Sequence, residues 1–398
     1  MQQADSFNLM RTPFDHHLPA SVRFFEPRPE VHRSLSASIE ASCGVKYRFN
    51  WNLTGLVRKE FKYAEAAARK RCYMSQPSSN ILKLELPTPY PVGNINAYFI
   101  DGAEPTLIDT GVYSSRSLNA LREHLQAHGR RLEDIRRILI THDHFDHAGA
   151  ALHLSEICRA TLYLHDKSTA LARTPPEAQQ QLFNFLLRCG VPHNILEQAF
   201  ALFNAGSRFA GLEAKPCAIE WLKGGETILC DNLVLTVMTT PGHSPDHLCY
   251  LDVGAGVLFC GDLLLPHITP NPLLYLDPKN DYRRSHSLLD YLDSLEKLQG
   301  RSLAIAYPGH GSAINDISGL ISRYLNFIEQ RKRKFLKNVV AGLNTPYKLA
   351  LAVFGELDLA NQYLAVSETV AYLDLLERRE KISVDWDGDI IRCTEIII

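Results

Sequence analysis

With 398 residues the chain can bury a large core and carry a main domain with appendages. Its 42 lysines and arginines against 44 acids give a net charge of −2, which excludes a global electrostatic pull toward nucleic acid or acidic membranes and leaves only local basic patches. The nine cysteines are scattered, odd in number and free of any Cys-x-x-Cys pair, a pattern of free thiols in a reducing compartment.

No run of about 18 apolar residues occurs, so no transmembrane helix is expected. The N-terminus, MQQADSFNLMRTPFDHH, has no basic-then-apolar signal, and a cytoplasmic protein is expected. Residues 1–80 read as an N-terminal extension, partly helical. Leu56 to Tyr73 is a basic amphipathic stretch for which a solvated helix face is the plain reading and contact with a phosphorylated partner or membrane surface the functional one.

From Ile81 short apolar runs punctuated by Pro and Gly predict strands at Ile81–Leu86, Asn96–Ile100 and Thr106–Ile108. Leu118, Leu121 and Leu125 predict a helix over Ser117–His128, and Arg137–Ile140 a buried strand. Strand, helix, strand implies a βαβ crossover, with functional groups where the chain leaves the strands' carboxyl ends. A helical insertion at about 172–206 is placed as a lid. Strands resume at Leu233–Thr239, His247–Leu251 and Val257–Cys260, then a helix at Ser285–Leu298 and a strand at Leu303–Ala306. A long helix over Ile317–Val340 carries the run Arg331 to Lys334. Helical segments at Tyr347–Phe354, Leu359–Leu364 and Ser367–Arg379 and two strands about Asp387-Gly388 complete a winged-helix outline. The expected domains are 1–80, a catalytic 81–316 and a C-terminal 317–398.

The chemistry concentrates in Thr141-His142-Asp143-His144-Phe145-Asp146-His147, directly after a buried strand. Imidazoles suit zinc and carboxylates are harder ligands, so four candidates within six residues can feed two adjacent metals from a tight irregular turn. Asp143, in the variable position, reads as a turn-stabilising side chain. Three more ligand-type groups follow buried strands: His243 in Pro241-Gly242-His243, Asp262 in Gly261-Asp262 and His310 in Pro308-Gly309-His310-Gly311.

The ordered set LIDTG, THDHFDH, TPGHS, CGD and PGHG, over about residues 81–312, resembles the metallo-β-lactamase superfamily, which includes glyoxalase II thioesterases, lactonases and nucleases. The resemblance implies an α/β fold, a four-layer αββα sandwich. It implies that His142, His144 and His243 bind one metal, that Asp146, His147 and His310 bind the second, and that Asp262 bridges them. Asp109 would hold a ligand imidazole in its tautomer. The metals implied are two Zn2+ ions, with iron or manganese as alternatives. His247 and His267, near the site in sequence, are read either as structural hydrogen-bonders or as substrate contacts.

A zinc-dependent hydrolase follows, with water activated between the metals attacking an ester-like bond and Asp146 or Asp262 as the catalytic carboxylate that orients it or passes its proton on. The substrate expected is a small-molecule thioester or lactone, because the apolar, proline-stiffened LLLPHITPNPLL after Asp262 suits an acyl chain. Ser244 to His247 departs from the glyoxalase II pattern Thr-x-Gly-His, and His243-x-x-Asp246-His247 is closer to lactamase-like proteins that include an endoribonuclease and polyketide-releasing thioesterases. The alternative is therefore an endoribonuclease that holds phosphates with the Arg331 to Lys334 run. Behind it stand an iron sulfur-dioxygenase and a non-enzymatic DNA-binding sensor; Glu368, Asp374 and Glu377 oppose the latter by offsetting the arginines of its recognition helix. Self-association into a homo-oligomer is left open.

Overall fold

The structure, a computed structural model, describes residues 34–40, 46–52, 80–170, 175–206 and 209–396. It divides into two compact units, residues 1–77 and 78–398. The first contains an antiparallel pair, β1 (Ser34–Glu40) and β2 (Lys46–Asn52), which pairs Ser34 with Asn52 and Glu40 with Lys46. Sequence patterning missed both strands, and the basic Leu56–Tyr73 stretch lies outside the described residues.

The second unit is built on two sheets. The first holds β3 (Ile81–Leu86), β4 (Ile95–Ile100), β5 (Thr106–Ile108), β6 (Arg137–Leu139), β7 (Thr161–His165) and β8 (Ala218–Leu222) in that order, antiparallel up to β5 and parallel beyond. The second has the order β15 (Ile305–Pro308), β12 (Val257–Gly261), β11 (Leu248–Asp252), β10 (Leu233–Thr239), β9 (Thr227–Cys230), antiparallel except where β12 meets β15. Between β12 and β15 in the chain, the short strands β13 (Leu276–Asp277) and β14 (Arg283–Arg284) pair antiparallel with each other.

All six residues of β4 are buried because both its faces are covered. Ile95, Ala97 and Phe99 point into a core shared with Leu121 and Leu125 of α1 (Ser115–Ala127) and Leu154 of α3 (Ala151–Cys158). Tyr98 and Ile100 point instead into a core shared with Leu235, Val237, Tyr250 and Phe259 of the second sheet. On the second sheet's far face Cys249, Leu251 and Leu258 meet helices α6 (Ser287–Glu296), α7 (Ile317–Val340), α8 (Pro346–Phe354) and α9 (Leu359–Arg378). These three cores make a helix, sheet, sheet, helix sandwich of four layers.

The helical stretch after β7 resolves into α4 (Pro176–Arg188) and α5 (His193–Gly206). Leu186, Cys189 and Leu196 pack into the second sheet's outer core, as do Ile382 of β16 (Ile382–Asp385) and Cys393 of β17 (Arg392–Glu395). The C-terminal helices and strand pair thus share one apolar core with the sheet that carries Asp262. Where the pattern suggested a break near Leu364, α9 is continuous, with Ser367 and Thr369 both buried. Among the described residues no helix is long and apolar enough to cross a membrane.

Candidate metal centre

β5 and β6 run parallel, as do β12 and β15, and β10 is antiparallel to the strand that separates it from β12. The motifs after β10, β12 and β15 therefore leave the second sheet at one end, and those after β5 and β6 leave the first sheet together. Bonds between the sheets bring the two ends into contact. Leu248 N–H donates to Thr141 O at 2.7 Å, Asn96 N–H to Gly309 O at 2.7 Å, and the Tyr98 hydroxyl to Pro308 O at 2.7 Å.

The Thr141–His147 segment converges its ligands by changing conformation partway. His144 is extended (φ −61°, ψ 146°) and caps a short helix, α2 (Phe145–Ala148), so His142 and His144 come from loop while Asp146 and His147 come from a helical turn. All seven candidate ligands meet. His142, His144 and His243 form one group, Asp146, His147 and His310 another, and His142, His147 and Asp262 link them; within each group the ligand atoms lie within 4.8 Å of one another. His144 Nδ1 stands 3.0 Å from both His142 Nε2 and His243 Nε2. Asp262 faces both groups, with Oδ1 3.4 Å from His147 Nε2 and Oδ2 3.5 Å from His243 Nε2 and 3.8 Å from His310 Nε2.

The imidazole tautomers follow from what faces each Nδ1. Asp109, held at φ 58°, accepts from Thr141 N–H and from the Thr141 hydroxyl, each at 2.8 Å, and is also 2.8 Å from His147 Nδ1. A carboxylate only accepts, so His147 Nδ1 carries the proton. Having donated to Asp109, the Thr141 hydroxyl is left to accept from His142 Nδ1 at 3.1 Å. Backbone carbonyls of Asn271 and Asn94 accept from His243 Nδ1 (3.1 Å) and His310 Nδ1 (2.9 Å). In the neutral ring each of these four histidines therefore turns a lone pair on Nε2 toward the cluster, the arrangement that outer hydrogen bonds impose on metal-ligating imidazoles.

The electrostatics differ between the two halves. Burial and the neighbouring imidazoles hold His142 well below the usual histidine range, and burial with His144 pushes His243 down to about 4. Burial also disfavours charge on His147, but Asp262, Asp109 and Asp146 outweigh it and raise His147 well above its usual value. His310 is raised too, against burial, by Asp146 and Asp262. Asp262 is itself held far below the carboxylate range, against burial, by His147, His310 and His243. Charge is thus disfavoured on His142 and His243 in one half, while in the other Asp146 and Asp262 favour a cation.

The donor set fits a pair of divalent metals. His147 Nε2, Asp262 Oδ1 and His310 Nε2 are buried without a hydrogen-bond partner, a situation that costs about 1–3 kcal/mol per group unless something else satisfies it. Nitrogens about 2.0–2.1 Å from a tetrahedral zinc would stand roughly 3.3 Å apart, close to the 3.0 Å seen at His144. Glycines make the approach: a Cβ on Gly309 would lie 2.4 Å from Asp262 Oδ1, and one on Gly261 (φ 46°) 2.8 Å from His247 Nε2.

His247 and His267 separate cleanly. His247 is fully buried; Asp262 N–H donates to its Nε2 at 3.1 Å, so its Nδ1 carries the proton, directed at the Thr240 hydroxyl 2.8 Å away. With both nitrogens engaged it is a hydrogen-bonder that fixes Asp262, and the substrate-contact reading of this residue is set aside. His267 is exposed, beside Gly311. Asp143 accepts from Thr169 N–H and the Thr169 hydroxyl at 3.0 and 2.6 Å, a turn-stabilising role. Asn96 escaped the sequence reading. Its side-chain amide donates to Pro308 O and Gly311 O at 3.0 and 2.8 Å, clamping the loop that presents His310, and its signal was a polar residue in an otherwise apolar strand.

A fold of this layering with a histidine and aspartate cluster at one end of the sandwich defines a metallo-hydrolase class. The family model of the metallo-beta-lactamase superfamily matches residues 90–310, and the chain belongs to that superfamily. It is similar to a probable metallo-hydrolase of Bacillus subtilis (27% identity over 79% of this chain and 97% of that one). It is also similar to the atrochrysone carboxyl ACP thioesterase of Aspergillus fumigatus (25% identity, 68% of this chain and 72% of that one). Among solved structures, a metallo-beta-lactamase family protein from Thermus thermophilus matches with a TM-score of 0.68 and 27% identity, over 80% of this chain and 99% of that one.

Proposed function

We propose that the chain is a dinuclear, zinc-dependent hydrolase of a small-molecule thioester or related ester. The observation that carries this reading is the meeting of seven metal-type side chains, with Asp262 facing both groups. His142, His144 and His243 would hold one ion, Asp146, His147 and His310 the other, and Asp262 both. Two ions so held supply Lewis acidity and a water acidic enough to be a nucleophile near neutral pH.

The chain's own residues do the rest. Asp109, Thr141, Asn94 and Asn271 lock the rings so that each Nε2 faces inward, and His247 holds the Asp262 backbone. Asp146 or Asp262 takes the proton of the attacking water and delivers it to the leaving group. Water adds across the acyl C–S or C–O bond, and an acid and a thiol or alcohol leave. The likeness to a fungal thioesterase supports an acyl thioester.

The nuclease reading is weakened because the basic run of α7 is engaged within the chain. Arg331 pairs with Glu368 at 2.6 Å, Lys332 and Arg333 pair with Glu329, and the Lys334 ammonium donates to Val353 O. The test is a panel of acyl thioesters, lactones and RNA offered to the zinc-loaded chain. Thioester turnover that vanishes in His142→Ala supports the proposal; RNA cleavage alone, weakening steeply with salt, replaces it.

A further inference from the structure

A cavity of about 510 Å3 lies between the Pro266–Pro272 strap and helices α6, α7 and α9. Its size falls within the range of small-molecule pockets, about 300–1,000 Å3. The walls are apolar and aromatic, with Ile268, Leu320, Phe327, Tyr291, Tyr324 and Tyr372 among them. Pro266, Pro270 and Pro272 bring no N–H to the strap. Two of the tyrosine hydroxyls are spent on backbone at and just before the strap: Tyr291 donates to Leu263 O at 3.0 Å, and Tyr324 accepts from Leu265 N–H at 2.8 Å.

The cavity's charges cancel locally. Arg331 is paired with Glu368 and lies over the Phe327 ring at 4.5 Å, while Arg323 is paired with Asp316 at 3.5 Å. With Arg331 and Glu368 paired to each other and most of the remaining lining apolar or aromatic, the cavity suits an apolar group.

The same strap meets the metal centre at both ends. A Cβ on Gly311, the residue after His310, would stand 2.7 Å from Pro266 and 3.5 Å from His267. At the other end the Asn271 carbonyl accepts from His243 Nδ1, while the Asn271 amide reaches Leu364 O of α9 at 3.4 Å. The strap that walls the cavity is therefore the same segment that positions His243 and abuts the residue after His310, and Ile268 and Phe327, both partly exposed, stand where the cavity meets solvent.

We propose that this cavity receives the apolar acyl portion, alkyl or aromatic, of the substrate whose carbonyl reacts at the metal centre; the inference rests on the hydrolase reading above. Helices α7 and α9 are then the specificity wall of the enzyme.

Two measurements on the full chain separate this inference from the hydrolase reading. The first is calorimetric binding of octan-1-ol and 2-naphthol to the metal-free chain, with Ile268→Trp and Phe327→Glu as variants at partly exposed positions. Binding of either compound, weakened at least tenfold in both variants, supports the cavity and tells whether alkyl or aromatic groups are preferred. Absence of binding by both compounds overturns it, whatever the chain hydrolyses. The second is kcat/KM of the zinc-loaded chain for acetyl, butanoyl and octanoyl thioesters of one thiol. A rise of roughly fourfold per added methylene until the cavity fills, flattened in Ile268→Trp, supports the proposal. Equal turnover of all three, unchanged in the variants, overturns it and leaves the hydrolase standing. No turnover of these thioesters or of the wider thioester and lactone panel, with alcohol binding intact, removes the hydrolase reading and leaves an apolar ligand site.

Discussion

The Asp109 carboxylate, 2.8 Å from His147 Nδ1, is what turns His147 Nε2 toward Asp262. The same carboxylate holds the Thr141 backbone and hydroxyl, and through that hydroxyl His142. One buried side chain thus orients a histidine of each metal group.

Asp109→Asn can offer an oxygen to only part of this network and is expected to weaken metal binding or activity by about 10–100-fold with the fold retained. Competition titration with a chromogenic chelator measures the affinity directly. Unchanged affinity and unchanged turnover would show that Asp109 has no orienting role.

Gly309→Ala places a methyl group 2.4 Å from Asp262 Oδ1 and 2.6 Å from His147 Cε1, with no flexible chain end to give way. The expected result is loss of at least one bound metal per chain, read by elemental analysis, while far-ultraviolet circular dichroism stays native. Full metal content in this variant would mean that the two side chains do not approach as described.

His247→Phe keeps an aromatic ring but removes the acceptor for the Asp262 N–H and the donor to Thr240. Leaving that buried N–H unpaired costs about 1–3 kcal/mol, so a lower thermal midpoint is expected together with reduced kcat at little-changed KM. A variant defective in KM alone would return His247 to the substrate side of the site.

These residues also mark how far the sequence could be read. Strand-end placement made Asp109, His142, His243, Asp262 and His310 legible, each just past a short apolar run, and ligand spacing within Thr141–His147 added His144, Asp146 and His147. Long elements with clear periodicity, Leu233–Thr239 and Ile317–Val340, fall where patterning put them. The misses are short or contextual. β7 is five residues, TLYLH, and β8, AIEWL, is an edge strand with mostly exposed side chains, so neither shows alternation strong enough to stand out. The role of Asn96 depends on backbone carbonyls 212 and 215 positions away, and that of His247 on the Asp262 turn, contacts that only tertiary structure creates.

Away from the metal centre, His286 supplies a pH-dependent contribution to stability. Its hydrogen bond to Asp374 raises its pKa, with burial working against the rise, and Asp374 also pairs with Arg284. A raised folded-state value means that the stabilisation is complete below the ordinary histidine value of about 6.5 and is lost as pH rises through the folded value. The urea midpoint of the native chain should therefore exceed that of His286→Gln at about pH 5.5, with the gap closing toward about pH 8.5. A gap that is constant with pH would assign the difference to packing.

The most direct test of the paired-cation centre is the number of zinc ions held per chain after equilibrium dialysis, compared among the native protein, His142→Ala and His310→Ala. Two ions in the native chain, with each variant losing at least one, is the expected result. Fewer than one ion in the native chain, or the same content in all three proteins, would contradict it.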